Sequence, residues 1–373
     1  MNRNRALGRV TLTIALVTAA AFVTVDAQRR GGGPPGGGGG GGRRGTIEKV
    51  AVHGKALEGN LEGDSPDREV SIYLPPSYAG DTTRRFPVVY LLHGHGSRDN
   101  TFIEDIGRLN ETVDRLAGAQ GFSEPIVVTP NAFTLHGNSM YSSSPTTGDW
   151  EKFIAEDLVS YVDSHYRTLT ARMSRGLAGH AAGGYGALRI AMKRPELFSS
   201  LYVMSACCAA PVTAPEILPS ASAADAIKTR EQAETASRQP GGASFGLALA
   251  AAWSPNPTRA PLFLDLPVAS GAARPEVLSK WAANATLSMV DQYAANLKRY
   301  YAVAMDVGAR DQLLGSNRQL HDALVRLRVP HYYEEYEGDH TDKIRERLER
   351  NVFPFFSTYL VATANPSSPQ VKD

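Results

Sequence analysis

The sequence predicts an α/β protein with a mostly parallel central sheet, helices on both faces and an insertion around residues 209–295. Three observations carry this. From about Thr46 onward, short apolar or alternating runs recur between segments of helical periodicity. Residues 86–92 and 125–129 are apolar almost throughout, as befits strands buried on both faces. Residues 174–193 read as a strand, a glycine-flanked tight turn and an Ala/Leu-rich helix in direct succession.

The elements follow in order. Residues 47–52 and 69–74 alternate like strands, and the second stops at Pro75-Pro76. The two buried strands come next. Residues 150–166 read as an amphipathic helix, with Phe153, Ile154, Leu158, Tyr161, Val162 and Tyr166 at helical spacing. A strand at 174–178 leads into the turn and the helix 183–193. Further strands are expected at 201–205, 301–306 and 332–336, and helices at 320–327 and 343–359. Residues 209 to about 295, rich in Ala, Pro and Ser, fit the alternation poorly and read as a cap or pocket wall inserted between two strands. Strands beginning at 47 and ending at 336, with a closing helix to 359, define one folded domain, 46–361.

Both ends differ in kind from this domain. Arg3, Arg5 and Arg9 precede an apolar run from Val10 to Val25, and Val25-Asp26-Ala27 offers small residues for cleavage. Residues 1–27 therefore read as a signal peptide, the run being shorter than the ~20 residues of a membrane span. The expected location is secreted or periplasmic. Residues 28–45 are Gly-, Arg- and Pro-rich and read as a flexible linker, and residues 362–373 as a flexible tail.

The 373 residues are 42% hydrophobic and 21% charged, enough for a large core, and the formal net charge is +1. The signal segment contributes +2 of local charge, so the remainder carries −1 and no basic field points to nucleic acid. Nothing later is apolar for long enough to cross a bilayer. Composition carries no signal for oligomeric state. The only cysteines, Cys207 and Cys208, are neighbours; they read as two small buried residues rather than a strained vicinal ring.

The candidate chemistry centres on Gly179-His180-Ala181-Ala182-Gly183. This is the frame of a nucleophile elbow, G-x-S-x-G, in which a strained turn lifts a side chain into the site. Ala181 stands where the serine belongs. In such folds an acid and then a histidine follow the nucleophile in the chain, each beyond the carboxyl end of a strand. Asp311, after the strand 301–306, and His340, after the strand 332–336, satisfy that order. The chemistry calls for His340 as general base, with Asp311 fixing its tautomer. An oxyanion hole would use the backbone N–H of Ala182 and a donor from His93-Gly94-His95-Gly96, the loop after the first buried strand, with His95 the candidate. No cofactor is expected, nor a metal, because the imidazoles lack a third ligand at a telling spacing.

With these residues in view, the chain resembles the putative-esterase family of α/β-hydrolases, which includes feruloyl and acetyl-xylan esterases, S-formylglutathione hydrolase and mycolyltransferases. The resemblance rests on Tyr73-Leu74-Pro75-Pro76-Ser77-Tyr78, the 93–96 loop, residues 142–151, the elbow, residues 308–313 and Gly338-Asp339-His340-Thr341, and runs from about 66 to 360. It implies a secreted carboxylic-ester hydrolase with Asp311 and His340 as triad members. It also implies a substrate groove near Tyr141 and Trp150, with His93 and His180 beside it, and a small-molecule or carbohydrate ester as the ligand.

The departure is Ala181. In subtilisin, losing the serine lowers kcat by about 2 × 10⁶, roughly 8–9 kcal/mol of barrier. The favoured reading is a scaffold that binds an ester or glycan without cleaving it. One alternative is an active serine esterase carrying a Ser-to-Ala change at 181. Another is a relocated nucleophile at Ser97, Ser205 or the Ser142–Ser144 cluster, none of which lies on an elbow. A structural envelope protein is a third, and it would need neither Asp311 nor His340.

Overall fold

A computed structural model describes residues 44–363, apart from Val212, Thr213 and Pro240. The expected signal peptide lies outside the described residues, as does nearly all of the linker and the tail.

The central sheet has eight strands: β1 (Thr46–His53), β2 (Asp67–Leu74), β3 (Val88–Leu92), β4 (Ile126–Pro130), β5 (Arg175–His180), β6 (Ser200–Met204), β7 (Ala302–Gly308) and β8 (Tyr332–Tyr336). Their spatial order is β1-β2-β4-β3-β5-β6-β7-β8. β2 pairs antiparallel with β1 and with β4, and every other pairing is parallel. β2 alone therefore runs against the rest. Parallel neighbours need crossovers, and helices supply them on both faces.

Alternation along β3 shows how the two faces are filled. Val88, Tyr90 and Leu92 enter the core on one face, with Phe153, Leu177, Leu188 and Val203. Val89 and Leu91 enter the core on the other, with Val113, Ala178, Leu348 and Phe356. All five β3 residues are buried, which is why the stretch reads as continuously apolar.

The flanking helices are α1 (Leu109–Ala117), α2 (150–165), α3 (Ala182–Lys193), α9 (Leu314–Arg326) and α10 (344–359). α2 and α10 each contain a π-helical stretch, Phe153–Asp157 and Leu348–Val352. α1 has no counterpart among the sequence expectations.

The insertion is helical: α4 (Ala214–Asp225), α5 (Arg230–Ser237), α6 (Gly242–Trp253), α7 (Pro275–Asn284) and α8 (Thr286–Leu297). It has its own core, in which Leu247, Trp253, Leu262, Leu264 and Trp281 meet Tyr185 of α3. The expected boundary near 295 falls too late. Met289, Val290, Ala294 and Leu297 of α8 pack into the main core, so α8 is the crossover helix from β6 to β7 and the insertion proper ends at about 285. Among the described residues no helix is long and apolar enough to cross a membrane.

At the far edge of the sheet a buried ion network ties α10 down. Arg347 Nε donates to Asp306 Oδ2 at 2.9 Å, and Tyr202 Oη donates to the same oxygen at 2.8 Å. Burial raises the Asp306 carboxyl to about 6 despite these partners.

Candidate active site

The elbow forms because strand and helix backbones touch. A Cβ at Gly179 would lie 2.1 Å from the Gly183 carbonyl oxygen, and one at Gly183 would lie 2.0 Å from that of Leu92. Only glycine fits at either place. Between them Ala181 adopts φ 55°, ψ −117°, a region L-residues rarely enter, at an expected strain of about 1–3 kcal/mol. Its backbone is pinned on both sides. Its N–H donates to Met204 O at 3.1 Å, and its carbonyl accepts from Tyr185 N at 3.0 Å and Cys207 N at 3.1 Å. α3 begins at Ala182, whose N–H belongs to the unpaired first turn and carries the positive end of the helix dipole.

Asp311 and His340 come together. His340 Nδ1 lies 2.8 Å from Asp311 Oδ2, and the Asp311 side chain is fully buried while His340 is partly open. Burial alone would raise the Asp311 carboxyl. Hydrogen bonds donated by the His340 ring and by Leu313 N–H outweigh it and hold the group below its ordinary value. An ionised carboxylate accepts only, so the proton sits on His340 Nδ1 and leaves Nε2 as the basic nitrogen.

His180 braces this histidine from beneath. Its Nε2–H donates to the His340 carbonyl at 2.8 Å, and the two rings lie 4.6 Å apart. Burial, then the neighbouring His340 ring, pushes the His180 pKa down to about 3.

Ala181, Ala182, His180, His340, Gly94 and His95 all line one cleft of about 480 Å³. Its apolar wall is Phe245 and Leu249 of α6, with Leu313, Cys207 and Ile106. Gly94 passes so close that a Cβ there would stand 3.3 Å from that of Ala181. The His95 ring turns to the insertion, 3.1 Å from Ser244 Oγ and edge-on to Phe245.

Three residues named with the groove lie elsewhere. His93 is buried beneath the loop, its Nε2 accepting from Ala132 N–H at 2.9 Å and its Nδ1–H donating to Gly94 O at 2.8 Å. Tyr141 is fully buried and donates to the His93 carbonyl at 2.8 Å. Trp150 is buried, its Nε1–H donating to Thr147 O at 2.8 Å. None of the three lines the cleft. His93 and Tyr141 hold the 93–96 loop and Trp150 the turn at 147–150, because their polar atoms are spent on backbone groups.

Among the relocated-nucleophile candidates only Ser97 lines the cleft. Ser205 is fully buried, Ser142 Oγ donates to Met140 O, and Ser144 Oγ donates to Ala251 O. Cys207 and Cys208 are free thiols with their sulfurs 2.8 Å apart, Cys207 buried and Cys208 half-buried. Among the described residues no three His, Cys, Asp or Glu side chains converge to hold a metal ion.

Phe245 and Leu249 carry no motif that marks them as cleft residues. The available signal is a twelve-residue run, 242–253, that is apolar nearly all round, as a helix buried on every side must be. Residues 245 and 249 are four apart and so share a face.

Burial also sets a titration behaviour. His93 and His95 are pushed down to about 4, as His180 is to about 3. The charged form is the one burial penalises, so all three rings stay neutral throughout pH 5–8. In imidazole NMR spectra these three should show no titration midpoint above pH 5. A midpoint near 6.5 for any of them would contradict its buried placement.

Strand order, elbow and cleft together define an α/β-hydrolase. The Esterase family model, whose description is "Putative esterase", matches residues 65–344, and the chain belongs to that family. Among curated proteins it is 29% identical over 153 residues to an endo-1,4-beta-xylanase/feruloyl esterase of Xylanibacter ruminicola, covering 39% of this chain and 21% of that protein. It is 28% identical over 137 residues to an esterase of Mycobacterium tuberculosis, covering 35% and 27% respectively. The matched segment thus spans about a fifth of the first relative and just over a quarter of the second. Among solved structures a ferulic acid esterase superposes with TM-score 0.60 at 21% identity, covering 85% of this chain and 99% of that one. S-formylglutathione hydrolase from Staphylococcus aureus gives 0.52 at 17%, covering 85% and 98%.

Proposed function

We propose that this chain is an exported esterase-family protein whose cleft binds an ester ligand, its acyl part apolar or aromatic and its alcohol part a carbohydrate, without cleaving it through an acyl-enzyme. The observation that carries this is the cleft itself. A histidine hydrogen-bonded to a buried carboxylate, two glycine-loop positions and an apolar wall surround a methyl group at the elbow.

Acyl transfer needs an oxygen that can lose a proton to a base and attack a carbonyl. Ala181 has no lone pair and no proton to give. The other parts have clear roles. His340 Nε2 would receive a proton, Asp311 would hold the ring's orientation and stabilise its charged form, and the N–H groups of Ala182 and His95 would polarise a carbonyl oxygen. Binding draws on the last of these and on the wall of Phe245, Leu249 and Leu313. A solved structure similar in fold, at 14% identity and TM-score 0.53, is a serine-to-alanine mutant of the feruloyl esterase module from Clostridium thermocellum complexed with sinapinate. That protein holds an aromatic acid with such a substitution in place, which supports an aromatic acyl group as the first ligand to try here.

One observation favours a second reading. Ala181 keeps a backbone strained by about 1–3 kcal/mol, and a binding cleft has no use for that strain. A serine esterase carrying a Ser-to-Ala change at 181 accounts for it directly. The exported part of this reading rests on Arg3, Arg5 and Arg9 ahead of the apolar run Val10–Val25.

The test is calorimetric titration with methyl ferulate, paired with product detection in the same sample. The expected result is saturable binding with no release of ferulate above a buffer blank. Binding unchanged in Leu249→Asp, with fold retained, would sink the cleft as the binding site.

A further inference from the structure

The sheet edge away from the cleft carries a second surface. Among the described residues, Tyr301 and Tyr332 are the two most exposed large apolar side chains, at 64% and 59%. They belong to one aromatic row. The Tyr359 ring centroid lies 5.9 Å from that of Tyr301 and 6.1 Å from that of Tyr332, and the Tyr332 and Tyr359 hydroxyls are 2.6 Å apart. Beside the row, between β8 and α10, runs a groove of about 540 Å³ floored by Tyr202, Met305 and Phe355. Its rim carries Glu334, Arg350, Asn351 and Thr358.

Tyr301 precedes β7 and Tyr332 opens β8, whereas Asp311 and His340 follow the carboxyl ends of those strands. Seven residues of β7 and five of β8, about 16–23 Å of strand, separate the two ends. The tyrosine surface therefore lies apart from the cleft, and nothing in the ester chemistry requires it.

We propose that this groove is a binding site for a neutral polysaccharide, a chain of pyranose units lying along the row Tyr301–Tyr359–Tyr332. Tyr301 and Tyr332 are exposed and flank the half-buried Tyr359, whose ring is tilted 34° to that of Tyr332 and stands at 71° to that of Tyr301. Exposed rings with hydroxyl tips along a bent row suit a ligand that presents C–H bonds on its faces and hydroxyls on its edges. The rim groups hold partners within the protein, Glu334 accepting from Arg347 and Asn351, Arg350 pairing with Glu346 and Thr358 donating to Pro354 O. A sugar hydroxyl would use the lone pairs and N–H groups these bonds leave over. The rim charges are mixed, Glu334 against Arg350, so the rim selects neither an anion nor a cation. A second copy of the chain fits less well. β8 is an edge strand on which Glu334 and Glu335 place a carboxylate on each face, and charged side chains along an edge disfavour pairing with another strand. The site goes beyond the ester-binding reading: it would hold a polymer against the protein while the cleft remains open.

The full chain is run in native gels containing soluble xylan, soluble glucomannan or no polysaccharide, and affinities are read from mobility against polysaccharide concentration. The expected result is retardation by at least one polymer, weakened about tenfold or more in Tyr301→Ala/Tyr332→Ala and largely kept in Tyr301→Phe/Tyr332→Phe. Circular dichroism and the unfolding midpoint check the fold of both variants. Methyl ferulate titration of the alanine variant separates this site from the cleft, since cleft binding should not change. Absence of retardation in both polymers overturns the proposal, as does equal retardation of the alanine variant. Sedimentation that shows a dimer lost in the alanine variant would assign the surface to a second copy and overturn it too.

Discussion

Ala181→Ser is expected to turn the chain into a working esterase, with hydrolysis of short acyl nitrophenyl esters rising by as much as about 10⁶-fold over the unsubstituted protein. The substitution adds one oxygen to a Cβ that is already in place. The backbone at 181 already holds φ 55°, ψ −117°, so the serine inherits the elbow's strain without rearrangement. Gly94 leaves the position open to the cleft, and the residue is 9% exposed, so the oxygen meets free space rather than packed atoms. His340 lines the same cleft with its Nδ1 occupied by Asp311, leaving Nε2 to take the serine proton. The gain of about 8–9 kcal/mol in transition-state stabilisation is the reverse of what a serine esterase loses on deletion of its nucleophile. Flat activity in a variant shown to be folded would mean that the cleft has departed from ester chemistry.

Within that serine variant, Asp311→Asn should lower kcat by about 10⁴-fold with little change in KM. The physical cause is tautomeric. An amide at 311 can donate to His340 Nδ1, which places the imidazole proton on Nε2 and removes the lone pair that faces the nucleophile. The contact is 2.8 Å long, and the carboxylate is buried with a second hydrogen bond from Leu313 N–H, so water cannot substitute for it. Asparagine is nearly the same size, so the fold should survive. Steady-state kinetics on the pair of variants reads the effect. A loss of less than about tenfold would remove Asp311 from the triad.

Much of the scaffold was legible because its signals are local. Strands such as β3 and β4 are buried on both faces and so are apolar at nearly every position, Thr129 being the exception. The elbow glycines declare themselves because turn chemistry depends on adjacent residues, and the structure puts a number on the reason, 2.0–2.1 Å to a neighbouring carbonyl oxygen. The chain order of Ala181, Asp311 and His340 was likewise readable, each just beyond a strand.

Other features needed the folded chain. His93, Tyr141 and Trp150 look like groove residues by motif, yet each spends its polar atoms on buried backbone groups. A motif records which residues recur, not which way their side chains face. The insertion shows the same limit. Its alanine-rich helices have weak periodicity, so α8, a crossover helix of the sheet, could not be told from its neighbours.

The sequence by itself determined the strands, the glycine-flanked elbow with alanine at 181, and the order of Ala181, Asp311 and His340 along the chain, since each is written in contiguous residues whose chemistry acts over one turn or one strand. Only the tertiary structure decided that Phe245 and Leu249 wall the cleft, that His180 holds the carbonyl of His340, and that Tyr301, Tyr332 and Tyr359 form one row. Those pairings join residues from 27 to 160 positions apart, and contacts at that range are set by how whole elements pack, which no local pattern encodes.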